Sequence, residues 1–219
     1  MKPKAKPGIP LQHWAFFETI DEDLHEYSRY LEFHKDNFKA YSVNLVRLYL
    51  SICSEIDVLL KVICDKLGQP AKDSSITHYR TVISKQFPYF GHFRVLIRPM
   101  GQVVFPWLKW RPKSKGHPEW WGSYNKVKHQ RNLYFAQANL INVLHSAAGL
   151  HVVLFYWHVI ETGGRPHVGF ADGRMRFRPF HVFGLDESMQ TEIQIGLPFS
   201  SKPFAAVRPK PQPPAPTKP

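Results

Sequence analysis

Acidic residues are scarce in this sequence: 17 Asp and Glu stand against 29 Lys and Arg, a net charge of +12 with histidine neutral. Seven cations lie near the two ends: Lys2, Lys4, Lys6, Lys202, Arg208, Lys210 and Lys218. Removing those seven from +12 still leaves +5, so the body is basic too. That balance favours a polyanion as partner, nucleic acid first and an acidic membrane second. Cysteine is nearly absent. Cys53 and Cys64 stand eleven apart on one expected helix, about 16 Å along its axis, too far for a disulfide. No CxxC pair occurs, which excludes the usual zinc-finger spacing. No Gly-rich phosphate loop and no repeat of solenoid length is found. The N-terminal MKPKAKPGIP has charge but no apolar stretch, so it does not read as a signal peptide. The longest apolar run, residues 147–160, is broken by Gly149, His151 and His158 and reads as falling short of a membrane span. Reduced thiols in a cytoplasmic protein, with no membrane partner, are the expectation.

What the sequence has is hydrophobic and aromatic content, 43% and 14%, enough for one core in 219 residues but not for two domains of usual size. A basic disordered leader is expected over residues 1–18, with a first helix over about 21–36. Residues 37–67 carry the strongest helical period, with Tyr41, Leu45, Leu48, Ile52, Ile56, Leu59 and Ile63 recurring every three or four positions. Gly68 and Pro70 end it. A shorter helix over 74–86 follows, with Asp73 or Ser74 as its cap. Apolar runs at 93–97 and 103–108 flank Pro99-Met100-Gly101-Gln102 and predict a hairpin. Pro118 and Glu119 suit a helix start, and a helix over 119–129 should pause near 130–132. A long helix is expected over 133–160 and is stopped by Gly163-Gly164. Asp172-Gly173 predicts a tight hairpin turn and 191–195 one more strand, a small β appendage over 163–200. The Pro-rich segment 201–219 reads as a mobile tail suited to a protein partner.

One stretch concentrates functional side chains. In WWGSYNKVKHQR, Trp120, Tyr124 and Val127 share a stripe that should face the core. Trp121, Asn125 and Lys128 share the next, and Asn125 and His129 stand one turn apart. WWGSYNKVKH, followed by ANLINVLHSAAGL, resembles bacterial members of the HEPN superfamily over roughly residues 20–160. Ser54-Glu55-Ile56-Asp57, before an apolar run with lysine, fits the same pattern. The resemblance implies a mainly α fold, an antiparallel helical bundle over 19–162; the hairpin insert near 93–108 and the C-terminal strands lie outside it. It also implies a homodimer, and in many members metal-independent RNA cleavage of defence or toxin type by an arginine followed four to six residues later by a histidine.

In this reading His129 is the acid or base and Asn125 orients it or the phosphate; both are catalytic candidates. Lys128, Arg131 and Lys126 hold RNA phosphates, and Trp121 offers a face to a base. No cofactor and no metal is called for. The sequence departs from the family at Tyr124, which occupies the arginine position and carries no charge at neutral pH. Lys128 or Arg131 would then have to supply it. Arg111 and His117 have the literal arginine–histidine spacing but sit in a Pro/Gly loop. The alternative function is a non-catalytic dimeric interaction module or RNA binder. His151 and His158 share a helix face, but no carboxylate or cysteine joins them at ligand spacing. Glu55 and Asp57 are expected to pair across the bundle, with Lys128 or His129 as candidate partners.

Overall fold

The computed structural model describes residues 12–70, 75–161 and 182–184. It is mainly helical, with a small three-stranded antiparallel sheet. The six described α-helices are α1 (Gln12–Tyr27), α2 (Val43–Lys66), α3 (Ile76–Gln86), α4 (Glu119–His129), α5 (Arg131–Tyr134) and α6 (Leu140–Glu161). The strands are β1 (Val95–Ile97), β2 (Gln102–Val104) and β3 (Phe183–Gly184).

The first helix begins well before residue 21. Trp14, Phe17, Ile20, Asp21 and Leu24 recur every three or four positions and are all buried. The apolar face thus starts with Trp14 and Phe17, inside the segment expected to be a disordered leader. α1 ends at Tyr27, so the expected helix to residue 36 is replaced by a turn and a short 3-10 segment at Lys35–Asn37.

The helix expected from residue 37 starts at Val43. Ser42 caps it, its Oγ accepting from the amide of Leu45 at 3.2 Å. The residues before the cap serve another helix. The carbonyls of Ala40 and Phe38 accept from the amides of Leu140 and Ile141 at 2.9 and 3.3 Å. Asn139 Oδ1 accepts from the Asn142 amide at 3.2 Å. The first-turn donors of α6 are thus satisfied from outside. This explains why α6 begins at Leu140, not at 133, with α5 and a 3-10 turn at Phe135–Gln137 in between. α3 is capped by Ser75, one residue beyond the expected position.

α6 is the central element. It packs most extensively on α2 and also touches α1, α4 and β1. It is 22 residues long and apolar enough by length and composition to cross a membrane, yet 89% of its most apolar window is buried within the protein. The expectation that this stretch falls short of a span is therefore corrected on length: Leu140–Ser146 adds two turns without a charge. Its apolar faces are covered by the other helices.

Around its middle lies an aromatic cluster. The Trp107 indole donates to the Gly149 carbonyl at 3.0 Å, and the Trp120 indole donates to Pro106 O at 3.0 Å. Trp107 sits 4.4 Å from Trp110 and 5.1 Å from Trp120, centroid to centroid. A side chain at 149 would press on Trp120, 3.0 Å from the position of an added Cβ, so glycine permits the close approach.

β1 pairs with β2 through Val95↔Val104, Leu96↔Val103 and Ile97↔Gln102, and Gly101 takes φ +60° in the turn. The expected hairpin is present but shorter than drawn, because Phe105 and Pro106 leave the ladder to turn Trp107 into the core. β3 joins the other edge of β1 through Leu96↔Gly184 and Ile97↔Phe183. Asp21 Oδ1, buried in α1, accepts from the amides of Val182 and Phe183 at 2.9 and 3.3 Å. Residues 182–184, expected in a separate appendage, instead complete the hairpin sheet and are tied to the bundle. The turn at Asp172-Gly173, the strand at 191–195 and the Pro-rich segment lie outside the described residues.

Candidate nucleic-acid interface

α4 begins behind Pro118, with Glu119 in its first turn. Trp120, Tyr124 and Val127 face the core as their spacing requires. Trp121 is buried as well, 5% exposed, its ring 5.8 Å from Trp120 and 5.4 Å from Tyr124. The buried arc of α4 is therefore wider than a single stripe. This corrects the base-stacking role: Trp121 presents no open face.

Asn125, Lys126, Lys128 and His129 are all exposed on α4, and so are Gln130 and Arg131 just beyond it. The helix stops at Gln130, whose backbone (φ −140°, ψ 49°) leaves the helical region while its amide still donates to Lys126 O. Lys126 and Lys128 in the last turn also favour the negative end of the helix dipole. Lys126 Nζ lies 5.5 Å from the Tyr134 ring and Lys128 Nζ 5.7 Å from the Tyr124 ring. The two lysines therefore lean towards different rings, Lys126 to α5 and Lys128 back along α4, with His129 directly after Lys128.

The acids of the bundle are engaged elsewhere. Glu55 Oε1 meets His13 Nδ1 at 2.5 Å. Asp57 pairs with Lys61 at 2.6 Å and accepts from Tyr79 Oη at 2.9 Å. The candidate pairing of Glu55 or Asp57 with Lys128 or His129 is thus replaced by partners on α1, α2 and α3. Glu119 is at the far end of α4, ten residues and about 15 Å from His129, 3.7 Å from Lys109.

Tyr124, at the position where the resemblance would call for arginine, is turned into the core. Burial, then Cys53 and Asp57, push its phenol up to about 12, so it stays neutral. No cation reaches His129 from that position. Arg111 and His117 also part company. The Arg111 guanidinium lies 4.6 Å over the Phe105 ring and its Nε donates to Gly91 O at 3.2 Å. The His117 ring lies against Gly122, with Nδ1 2.9 Å from Pro118 O. Their spacing in sequence therefore brings no shared site. His151 and His158 are buried, and among the described residues no group of three or more histidines, cysteines or acids could hold a metal.

Two features escaped sequence reading. Tyr41, counted in the core stripe of α2, is outside the helix and 56% exposed, its ring 5.9 Å from Phe135. Val43 and Leu133, two positions from each of these, are 75% and 70% exposed. An apolar patch thus borders the basic junction. The second is an open groove of about 390 Å³ between α3 and the turn at 110–112. A cap at Ser42 read from the sequence would have revealed the first.

The chain matches no family model, no curated protein and no solved structure.

Proposed function

We propose that this chain is a HEPN-like, RNA-directed protein of cytoplasmic defence or toxin type that binds single-stranded RNA at the α4–α5 junction and acts as a homodimer. One observation carries the reading. Asn125, Lys126, Lys128, His129 and Arg131 are all exposed at one helix end, with the nearest acid in α4 a helix length away. Cations without carboxylate partners are the groups that exchange small counterions for backbone phosphates. The amide and imidazole add hydrogen bonds to phosphate or to the 2′-hydroxyl, which separates RNA from DNA. The exposed Tyr41, Val43 and Leu133 beside the junction support self-association through that edge. A second copy docked there sets two basic junctions next to each other.

The experiment is binding of labelled single-stranded RNA in chelator across a salt series. Lys126→Gln/Lys128→Gln/Arg131→Gln should flatten the slope of log K against log salt by about 2, at roughly 0.7 per phosphate contact on single strands. Binding that ignores salt sinks the reading and leaves a self-association module. Cleavage is the second reading, favoured by the exposure of His129 one turn beyond Asn125. It requires chelator-resistant RNA scission that His129→Ala abolishes while binding persists.

A further inference from the structure

An open groove lies between α3 and the turn at 110–112. Thr77, Arg80, Thr81, Ser84 and Lys85 line it from α3, and Arg111 lines it from the turn. These α3 positions recur at three and four residues and form one face. The chain between Asp73 and Glu119 contains no acidic residue at all. The groove is therefore cationic without an internal counter-charge.

Its guanidiniums are held by neutral groups. Arg80 donates to the carbonyl of Gly116 at 3.1 Å and to that of Ser114. Arg111 is held by Gly91 O and by the Phe105 ring. Such contacts orient a guanidinium and leave its charge in place, the arrangement that suits phosphate. Trp110 also lines the groove, and its buried indole N–H has no acceptor among the described residues. A groove of this volume is large enough for part of a nucleotide.

The 111–117 loop connects the groove wall to α4. Arg80 pins the 111–117 loop through Ser114 and Gly116, and the same loop sets His117 against Gly122 of α4. Gly122, Asn125, Lys126 and His129 share one helix face by their spacing, about 10 Å from first to last. Exposed Lys113 and Lys115 sit on the loop between the two.

We propose that the groove is a second phosphate-binding subsite, so that one RNA strand runs from Lys85 and Arg111 across the loop to the end of α4. This rests on the reading of the junction as an RNA surface. Its test separates the two. Lys85 is exposed in the last turn of α3, so Lys85→Glu should leave the fold intact, with the thermal midpoint lowered only by the few degrees that reversing a helix-end charge costs. An RNA of about 12 nucleotides, within the usual span of single-strand sites, should bind Lys85→Glu about tenfold more weakly, with a salt slope lower by about 1. An RNA of about 4 nucleotides, long enough for the junction alone, should bind wild type and variant equally. Unchanged binding of the longer RNA to Lys85→Glu overturns the groove and leaves the junction standing. Loss in Lys85→Glu with no loss in the Lys126, Lys128 and Arg131 triple variant supports the groove and overturns the junction. Poly-glutamate competing as well as RNA, with the same dependence on Lys85, identifies a general site for acidic chains and overturns a nucleic-acid groove.

Discussion

Acidification from pH 7.5 to pH 5 should cost this fold about 2 kcal/mol through one side chain, His151. Its ring is buried in α6 and lies 6° from parallel to the Phe17 ring, at 5.4 Å. Burial first, and the Arg98 guanidinium second, bring its pKa from 6.5 down to about 4. Between those values the unfolded chain binds a proton that the folded chain does not, so stability rises with pH across the interval and falls on acidification. Above 6.5 the imidazole is neutral in both states. Below about 4 both are protonated and the loss is complete, roughly 3 kcal/mol at about 1.36 kcal/mol per pH unit. At pH 5 about 1.5 pH units of the interval have been crossed, which gives about 2 kcal/mol. The assay is denaturant unfolding of wild type and His151→Phe at both pH values. Phenylalanine keeps the stacked ring and removes the titrating nitrogens. His145, whose pKa is also lowered by burial, titrates in both proteins and drops out of the difference. Wild type should lose about 2 kcal/mol more than the variant. Equal losses would mean that the ring takes up its proton in the folded state without penalty, and the burial argument would fail.

Other perturbations probe different parts of the structure. Gly91→Ala would place a Cβ 2.5 Å from the Arg111 amide nitrogen and 2.7 Å from the Trp110 carbonyl carbon, both backbone; overpacking of this kind costs about 1–3 kcal/mol, and an unchanged denaturation midpoint would show that the approach is not that close. Leu133→Asp, at a position 70% exposed, should yield a monomer by light scattering with stability within about 0.5 kcal/mol of wild type; a dimer that survives Leu133→Asp and Val43→Asp together rules this patch out as the interface. Burial raises the thiol pKa of Cys53, and burial followed by Asp65 raises that of Cys64 to about 12. A thiol reagent at neutral pH should therefore modify both cysteines only after denaturation, and rapid labelling of the native protein would contradict their enclosure.

Period and punctuation in the sequence located most of the elements that position the site. The apolar repeat from Leu45 to Ile63, the Pro118-Glu119 start of α4 and the break at Gln130 are local signals, and they lie where the spacing puts them. Errors arose where one segment serves another far away. Nothing near Ala40 announces that its carbonyl will satisfy the amide of Leu140, so α2 starts six residues, and α6 seven, later than their apolar periods suggest. Asp21 reads as a surface acid until Val182 and Phe183 arrive to donate to it. Trp121 was placed by stripe arithmetic on the polar border, but its indole is large enough to reach back over Trp120 and Tyr124. At the candidate site the exposed cations were legible from helical spacing. The groove was not, because its two walls, α3 and the 110–112 turn, meet only in the fold.

Charge is also divided along the chain in a way that bears on how a polyanion arrives. Between Asp73 and Glu161 the only acid is Glu119. In contrast, α1 alone carries Glu18, Asp21, Glu22, Asp23 and Glu26. Exposed charges more than about 8 Å apart barely sense one another at physiological ionic strength, so acids on α1 do little to neutralise cations at the far end of α4. The exposed Glu22 and Glu26 repel a phosphate backbone locally, while the cations of α3 and α4 attract it. The whole-chain charge says only that some polyanion is favoured. The partition among elements narrows the choice: at the exposed end of α4, on the 111–117 loop and in the α3 groove, cations stand without carboxylate partners among the described residues.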